Sequence, residues 1–391
     1  MTTLPALPFP QEHPLDVAPE LLTLQAESPI SRIRTQAGDE AWLVTRYSEV
    51  KRLLADDRLG RSHREPDKAS QIYTNSLFNG AMDGFDTEFE NHRRFRSLLQ
   101  PYFSAKRMRA LRPRVEALAD ELLDGLASRA ERRADLHAEL SLPLPVLVIC
   151  ELLGVPPEGR DLFTGWSTDI ADMLDLERSR AALFSLVGYM RELVKERREH
   201  LGDDVISGLC GVEGVGDDEA AFLSATLLFA GHETTTVRVD TGVMLLLTHP
   251  DQRQALLERP GLLDDAVEEI LRHGGHGGGG MIRYARSDLE VAGVRVREGE
   301  AVLLDANAAN YDEREFDCPR RFDVSRRPNP HLSFGHGVRY CIGAPLARIE
   351  LRTVFGRLFS RLPGLRLAAP LAGIPKRAAL TGGVTELPVT W

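Results

Sequence analysis

Apolar residues recur along most of the chain at the three- and four-residue spacing of helices with one buried face. Met108, Leu111, Val115, Leu118 and Leu122 form such a stripe across residues 105–129. Pro143–Leu153 is nearly all apolar, which predicts a helix buried on every side. Residues 181–200 predict an amphipathic helix with a charged tail. Asp217–Thr248 predicts a very long one, with Asp217 or Asp218 available to cap its start and Pro250 just past its end. Shorter helices are predicted over residues 47–56, 264–273 and Ala344–Arg361. Alternation of period two is confined to two places. Residues 30–46 alternate in two runs with Asp39 at the turn between them, a hairpin signal. Residues 291–310 return to strand-like alternation through VRVREGEAVLL. The pattern is mainly α with small β-sheets near the start and towards the end. It has no internal repeat and no low-complexity linker, and residues 1–391 are expected to form a single domain. No strand–helix–strand alternation is present, which argues against a dinucleotide-binding fold.

Charge and cysteine usage narrow the function classes. The formal net charge is -10, which excludes a broad basic face for nucleic acid. The local run His92-Arg93-Arg94-Phe95-Arg96 reads by default as a solvated helix face. The four cysteines, Cys150, Cys210, Cys318 and Cys341, form no CxxC pair. A disulfide framework and a structural zinc site are both disfavoured, and a reducing compartment fits best. The segment MTTLPALPFPQEHPLD has neither the basic nor the apolar region of a signal peptide. The longest apolar stretches, near residues 144–150 and 220–230, fall short of the ~18–20 residues that a spanning helix requires. A soluble, cytoplasmic protein without membrane or nucleic-acid partners is therefore expected.

Two segments carry the chemistry. The first is HLSFGHGVRYCIG, residues 331–343. Phe334, Gly335, Gly337, Cys341 and Gly343 stand together, and Pro345 then sits in the first turn of a helix. A cysteine just before a helix start meets backbone N–H groups and the positive end of the helix dipole, which favour a thiolate. An isolated cysteine would read as a small buried hydrophobe; this one has turn glycines, an aromatic and a helix start around it. The second segment is AGHETT, residues 230–235, inside the predicted long helix. A glycine costs about 1 kcal/mol in a helix interior, and Glu233 and Thr234 interrupt an apolar run. Such a combination predicts a local bulge or kink at a functional position, against the blander reading of a solvent-facing polar patch. A third pattern, Glu269 and Arg272 at i, i+3 in EEILR, is alone no more than a surface ion pair.

Taken together these segments resemble the cytochromes P450, and the resemblance runs from about Pro29 to Trp391. FGHGVRYCIG is similar to that family's haem-binding loop, and AGHETT to its central helix motif. The resemblance implies a triangular helical prism with haem b between the long central helix and the helix after the cysteine loop. It implies that Cys341 ligates the iron, with Phe334, Gly335 and Gly343 shaping the loop. Ala230 and Gly231 would leave room for dioxygen, and Glu233 and Thr234 would organise proton delivery. His92, Arg96, Arg283 and Arg339 match positions that bind the haem propionates. Glu269 and Arg272, completed by Arg321, match a buried structural network. Two segments depart from the family pattern: MDGFDTEFEN ahead of His92, and HGGHGGGG, residues 273–280. The latter suggests a loop that widens the pocket or changes shape with substrate; its HxxH spacing is weak as a metal site.

No GxGxxG follows a strand, so the chain carries no nicotinamide or flavin fingerprint. Electrons are expected from a separate ferredoxin and its reductase, with Arg93, Arg94 and Arg348 as candidate docking charges. The resemblance implies a monooxygenase that hydroxylates or epoxidises a large, mostly apolar molecule with O2. The overall run of motifs is closest to actinomycete enzymes that tailor polyketides, macrolides or ansamycins for antibiotic and other secondary-metabolite biosynthesis. Alternatives are an atypical member that forms rings or bridges, a haem sensor without turnover, and a non-haem Cys/His metal protein.

Overall fold

A computed structural model describes residues 4–73, 80–82, 84–156, 159–273 and 280–391. The chain opens with α1 (Pro19–Glu27), the hairpin β1 (Ile30–Arg34) and β2 (Glu40–Val44), α2 (Tyr47–Leu54) and the short β3 (Leu59–Gly60). Helices α3 (Glu88–Leu99) and α4 (Ala105–Ala127) lead to β4 (Arg133–Asp135). A helical run follows: α5 (Pro143–Leu153), α6 (Arg160–Ala171), α7 (Leu176–Glu199), α8 (Val205–Cys210), α9 (Asp217–Thr248), α10 (Pro250–Glu258) and α11 (Leu263–His273). Strands β5 (Met281–Ala285), β6 (Leu289–Val291), β7 (Val294–Val296) and β8 (Ala301–Leu304) precede α12 (Ala306–Ala309). The long helix α13 (Ala344–Arg361) and strands β9 (Arg366–Leu367) and β10 (Pro388–Thr390) end the chain.

The main apolar core lies where α9 meets α5, α7 and α13, and where α13 crosses α4. Helix α9 is buried along nearly its whole length, which is why its apolar residues show no single stripe. The larger sheet has the order β1-β2-β8-β5-β3. It joins the N-terminal hairpin to strands some 260 residues later, with β2 parallel to β8 and β5 antiparallel to it. A second sheet has the order β4-β10-β9, and β6 and β7 form a separate hairpin. No described helix is long and apolar enough to cross a membrane.

The expected boundaries of α5, α9 and α13 agree with the structure. That of α7 differs, because Asp175 caps it by accepting from the Arg178 N–H (3.0 Å), which starts the helix before its apolar stripe begins. Helix α9 is not capped by Asp217 or Asp218. Gly216 holds the N-cap position, and the two aspartates pair instead with Arg198 and Arg191. The predicted bulge at residues 230–235 is absent, since α9 runs as unbroken α-helix. The hydroxyls of Thr234, Thr235 and Thr236 donate to the carbonyls of Ala230, Gly231 and His232, each one turn back, so they are accommodated without breaking the backbone ladder.

Candidate active site

The segment carrying Cys341 is built around two left-handed glycines, Gly335 (φ +71°) and Gly337 (φ +72°). A Cβ on Gly337 would lie 2.9 Å from the Ala55 backbone. The Cys341 N–H returns to the Phe334 carbonyl (2.9 Å), closing the loop. Gly343 then caps α13. Burial raises the Cys341 thiol above its ordinary value, while hydrogen bonds from the Gly343 and Ala344 N–H groups and the charges of Arg96 and Arg348 act to lower it.

Two clamps hold this loop to α11. In the first, Arg272 donates to both oxygens of Glu269 (2.8 and 2.9 Å), and neither side chain has any exposure. Burial pushes Glu269 up, but Arg272 and His273 more than reverse this and keep it ionised. The third charged member is Arg326, which contacts Glu269 at 3.1 Å and is itself buried. Arg321, the expected third member, turns out to solvent and pairs with Asp323; only its carbonyl joins the cluster, accepting from Arg326 and Arg272. Asn310 carries the clamp onward. Its backbone carbonyl accepts from Arg272 (2.8 Å), its side-chain oxygen accepts from the Leu332 N–H (2.8 Å), and its amide donates to Ser333 (2.9 Å). The second clamp was not expected. Glu268 takes a bidentate pair from Arg348 of α13 (2.7 Å twice) and a hydrogen bond from His331 (3.0 Å). Burial opposes ionisation of Glu268, yet these partners bring it down to about 2.

Across a cavity of about 200 Å3 Cys341 faces the middle of α9, with Ala230, Gly231 and Thr234 on the opposite wall. A Cβ at Gly231 would lie 2.9 Å from Ile149 Cδ1, so a larger residue there would need that side chain to move. Glu233 is 2% exposed, which disposes of a solvent-facing patch. Its Oε1 accepts from Arg377 Nη2 (2.6 Å) and from the Thr381 hydroxyl (2.9 Å). Neither partner lies in a recognisable motif, and both come from a segment more than 140 residues later in the chain. Arg377 also lines an outer cavity of about 430 Å3 beside the N-terminal segment, which brings that cavity to within one side chain of Glu233.

The expected cations gather on one side. Arg283 is buried in β5, and burial together with the charges of Arg61 and Arg339 pulls it down to about 9. Arg339 pairs with Glu88, which also accepts from the Arg61 N–H (2.8 Å). His92 is brought down to about 4 by burial and by Arg339, Arg61 and Arg96. Arg96 donates to the Tyr340 carbonyl beside Cys341 (2.7 Å). Arg61 and Glu88 belong to this cluster and were not expected. Arg286 also contacts Glu88 (3.4 Å), so among the described residues five arginines gather about this carboxylate, which leaves a local positive excess in an acidic protein.

Comparison with known proteins matches this arrangement to a family. Residues 175–363 match the cytochrome P450 family. The chain is 45% identical to pentalenolactone synthase of Streptomyces exfoliatus, with both chains covered in full. The chain is a cytochrome P450. It is also 40% identical to mycinamicin IV hydroxylase/epoxidase of Micromonospora griseorubida, over 99% of this chain and 98% of that one. The solved structure of substrate-free cytochrome P450 PimD, a pimaricin epoxidase, superposes with a TM-score of 0.90 at 42% identity, covering both chains in full. Members of the family bind haem and use O2 and redox partners on small molecules; this P450 is a haem-thiolate monooxygenase.

Other sequence expectations fare unevenly. Of the three proposed docking charges of the P450, Arg94 is paired with Glu219 and Arg348 with Glu268, which leaves Arg93 exposed. His273 ends α11 and packs between Tyr311 and Phe322. Residues 274–279, the rest of the glycine run with His276, lie outside the described residues, and among the described residues no cluster of three metal-ligating side chains occurs.

Proposed function

We propose that Cys341 holds the iron of haem b, and that the P450 inserts one oxygen atom into a large, mostly apolar natural product of polyketide or macrolide type. The observation that carries the assignment is the Cys341 thiol facing Ala230, Gly231 and Thr234 across one cavity, with two N–H donors at the sulfur. The residues present fit the cofactor in charge as well. A positive excess at Arg61, Arg96, Arg283 and Arg339 is costly to bury, and two propionates would offset it. His92 belongs with these arginines as a propionate donor. Phe334, Gly335 and Gly343 shape the loop. Glu269, Arg272 and Arg326 hold it in place through Asn310. Bound there, haem supplies reductive activation of dioxygen, with one atom going to substrate and the other leaving as water.

The chain's own contribution is proton supply and positioning. Thr234 presents its hydroxyl to the cavity and donates to the Ala230 carbonyl (3.2 Å). Glu233, one residue earlier, can take a proton from the outer cavity on the Arg377 side. From there we assign the proton a path towards Thr234. The names of the relatives support the substrate class: one is a mycinamicin IV hydroxylase/epoxidase and another an epoxidase of the polyene macrolide antibiotic pimaricin. Electrons are assigned to a ferredoxin and its reductase, with Arg93 as the charge free to meet it. Cys150, Cys210 and Cys318, which form no disulfide, suit a reducing compartment, and we assign the protein to the cytoplasm. The strand pairing of chain start with late segments supports one domain over residues 1–391. The test is the ferrous carbon monoxide spectrum of the purified protein. A Soret band at the red-shifted position of sulfur-ligated haem is expected, and its loss in C341H. A folded wild-type protein without that band overturns the assignment.

A further inference from the structure

Arg238 lies one turn beyond Thr234 on the same face of α9, and lines two cavities at once. One is the cavity of Cys341 and Thr234; the other, of about 250 Å3, is walled by Gly280, Met281, Leu380 and Thr381. Of the buried arginines described above, Arg283 also lacks an ion pair, but it donates to the Ile282 carbonyl (2.7 Å) and belongs to the cationic cluster; the others are paired. Arg272 and Arg326 share Glu269, Arg339 has Glu88, and Arg377 has Glu233. Arg238 makes no ion pair among the described residues, and its buried Nη1 has no hydrogen-bond partner. Surrounding protein lowers it to about 10, so it remains a cation at neutral pH.

Two internal explanations fail. Glu350 lines the same cavity, but burial pushes its carboxyl well above the ordinary range, with no charged partner contributing. No hydrogen bond joins its unpartnered Oε2 to the Arg238 Nη1. A haem propionate is the other candidate. The cluster of Arg61, Arg283 and Arg339 is mutually coupled, whereas Arg238 is coupled to Tyr311 and to none of these arginines. It is not part of that cluster. An unpaired cation in an apolar interior is costly, and a bidentate guanidinium suits a carboxylate.

We propose that Arg238 is a specificity-determining residue that binds a carboxylate carried by the substrate, so that this P450 acts on acids. The inference rests on the haem-thiolate reading, which orients the cavity. A ligand that anchors itself to iron tests it without knowledge of the natural substrate. Imidazolyl-octanoic acid, imidazolyl-decanoic acid and their methyl esters are titrated against the holoenzyme by the nitrogen-ligation spectral shift. The better-fitting acid is expected to bind at least about tenfold more tightly than its ester. R238M should abolish that preference by weakening the acid alone, and R238K should keep part of it. Equal binding of acid and ester at both lengths in wild type overturns the proposal, as does a preference that survives in R238M. Haem transfer to apomyoglobin separates the remaining source of carboxylate. Faster haem loss in R238M with an unchanged acid preference would assign Arg238 to a propionate and sink the proposal. The carbon monoxide spectrum of the same samples reports on the haem-thiolate reading itself; a missing sulfur-ligated band would overturn that reading, and this one with it.

Discussion

The two walls of the catalytic cavity are built by opposite rules. On the Cys341 side, the half-buried Glu268 and the buried Glu269 have their charges closed by arginine, and Asn310 passes the restraint to Leu332 and Ser333. On the α9 side Glu233 is paired with Arg377, but other polar groups are left open: His232 Nε2 and Arg238 Nη1 are buried without a hydrogen-bond partner, and the Thr234 hydroxyl faces the cavity. A closed ionic network resists rearrangement, because removing either partner leaves a buried charge uncompensated. Open groups are tolerated where a ligand completes them or where a proton must pass. The first wall fixes geometry; the second is shaped for what enters.

The comparison can be broken most decisively at Glu269. E269A should destabilise the fold by about 3–5 kcal/mol, with haem content falling in step; thermal unfolding and the haem-to-protein ratio measure it. If E269A unfolds no more easily than T234A, the two walls do not differ as described. Glu268 sharpens the same point through pH. Its carboxyl titrates at about 2 in the fold against 4.5 ordinarily. Its stabilisation is therefore complete above pH 4.5 and lost as pH falls from there towards 2, by about 3 kcal/mol in all. Denaturant titrations across that range should slope more gently in E268Q.

On the open wall, T234A should leave unfolding unchanged yet reduce productive turnover by about a hundredfold or more, with reductant diverted to hydrogen peroxide. R377M, which acts only through the orientation of Glu233, should cost about tenfold in turnover and change the solvent isotope effect. A loss of turnover with an unaltered isotope effect would make Arg377 a merely structural residue. The smallest effect belongs to R321A, within about 0.5 kcal/mol of wild type by thermal unfolding, whereas R326A should resemble E269A.

That last contrast marks where sequence reading stopped. Local pattern was enough for the long helices and for the glycine-bearing Cys341 loop, because each is encoded within a few neighbouring residues; for Glu269 and Arg272 it gave only a surface ion pair, and the buried network was implied by the family resemblance. It could not choose between Arg321 and Arg326. Both are arginines a few positions apart, and the choice is made by Asp323, which holds Arg321 outward while its own N–H donates to Glu269. Glu268 with Arg348, and Glu233 with Arg377, span 80 and 144 positions; such pairs are properties of packing and leave no periodicity. The six-residue α8 and the nine-residue α10 went unread because so few turns carry no measurable stripe. The bulge expected in α9 failed for the opposite reason. Back-bonded hydroxyls satisfied themselves locally, and tertiary burial on all sides kept the helix straight.

Asn310 has a consequence for protein engineering. Its three contacts mean that the alignment of the sulfur-bearing segment is stored outside that segment, in α11 and in the turn after α12. Residues 331–343 are therefore not a portable cassette. Transplanted into another scaffold without Arg272 and an amide at the position of Asn310, the same peptide would keep its turns but lose its aim.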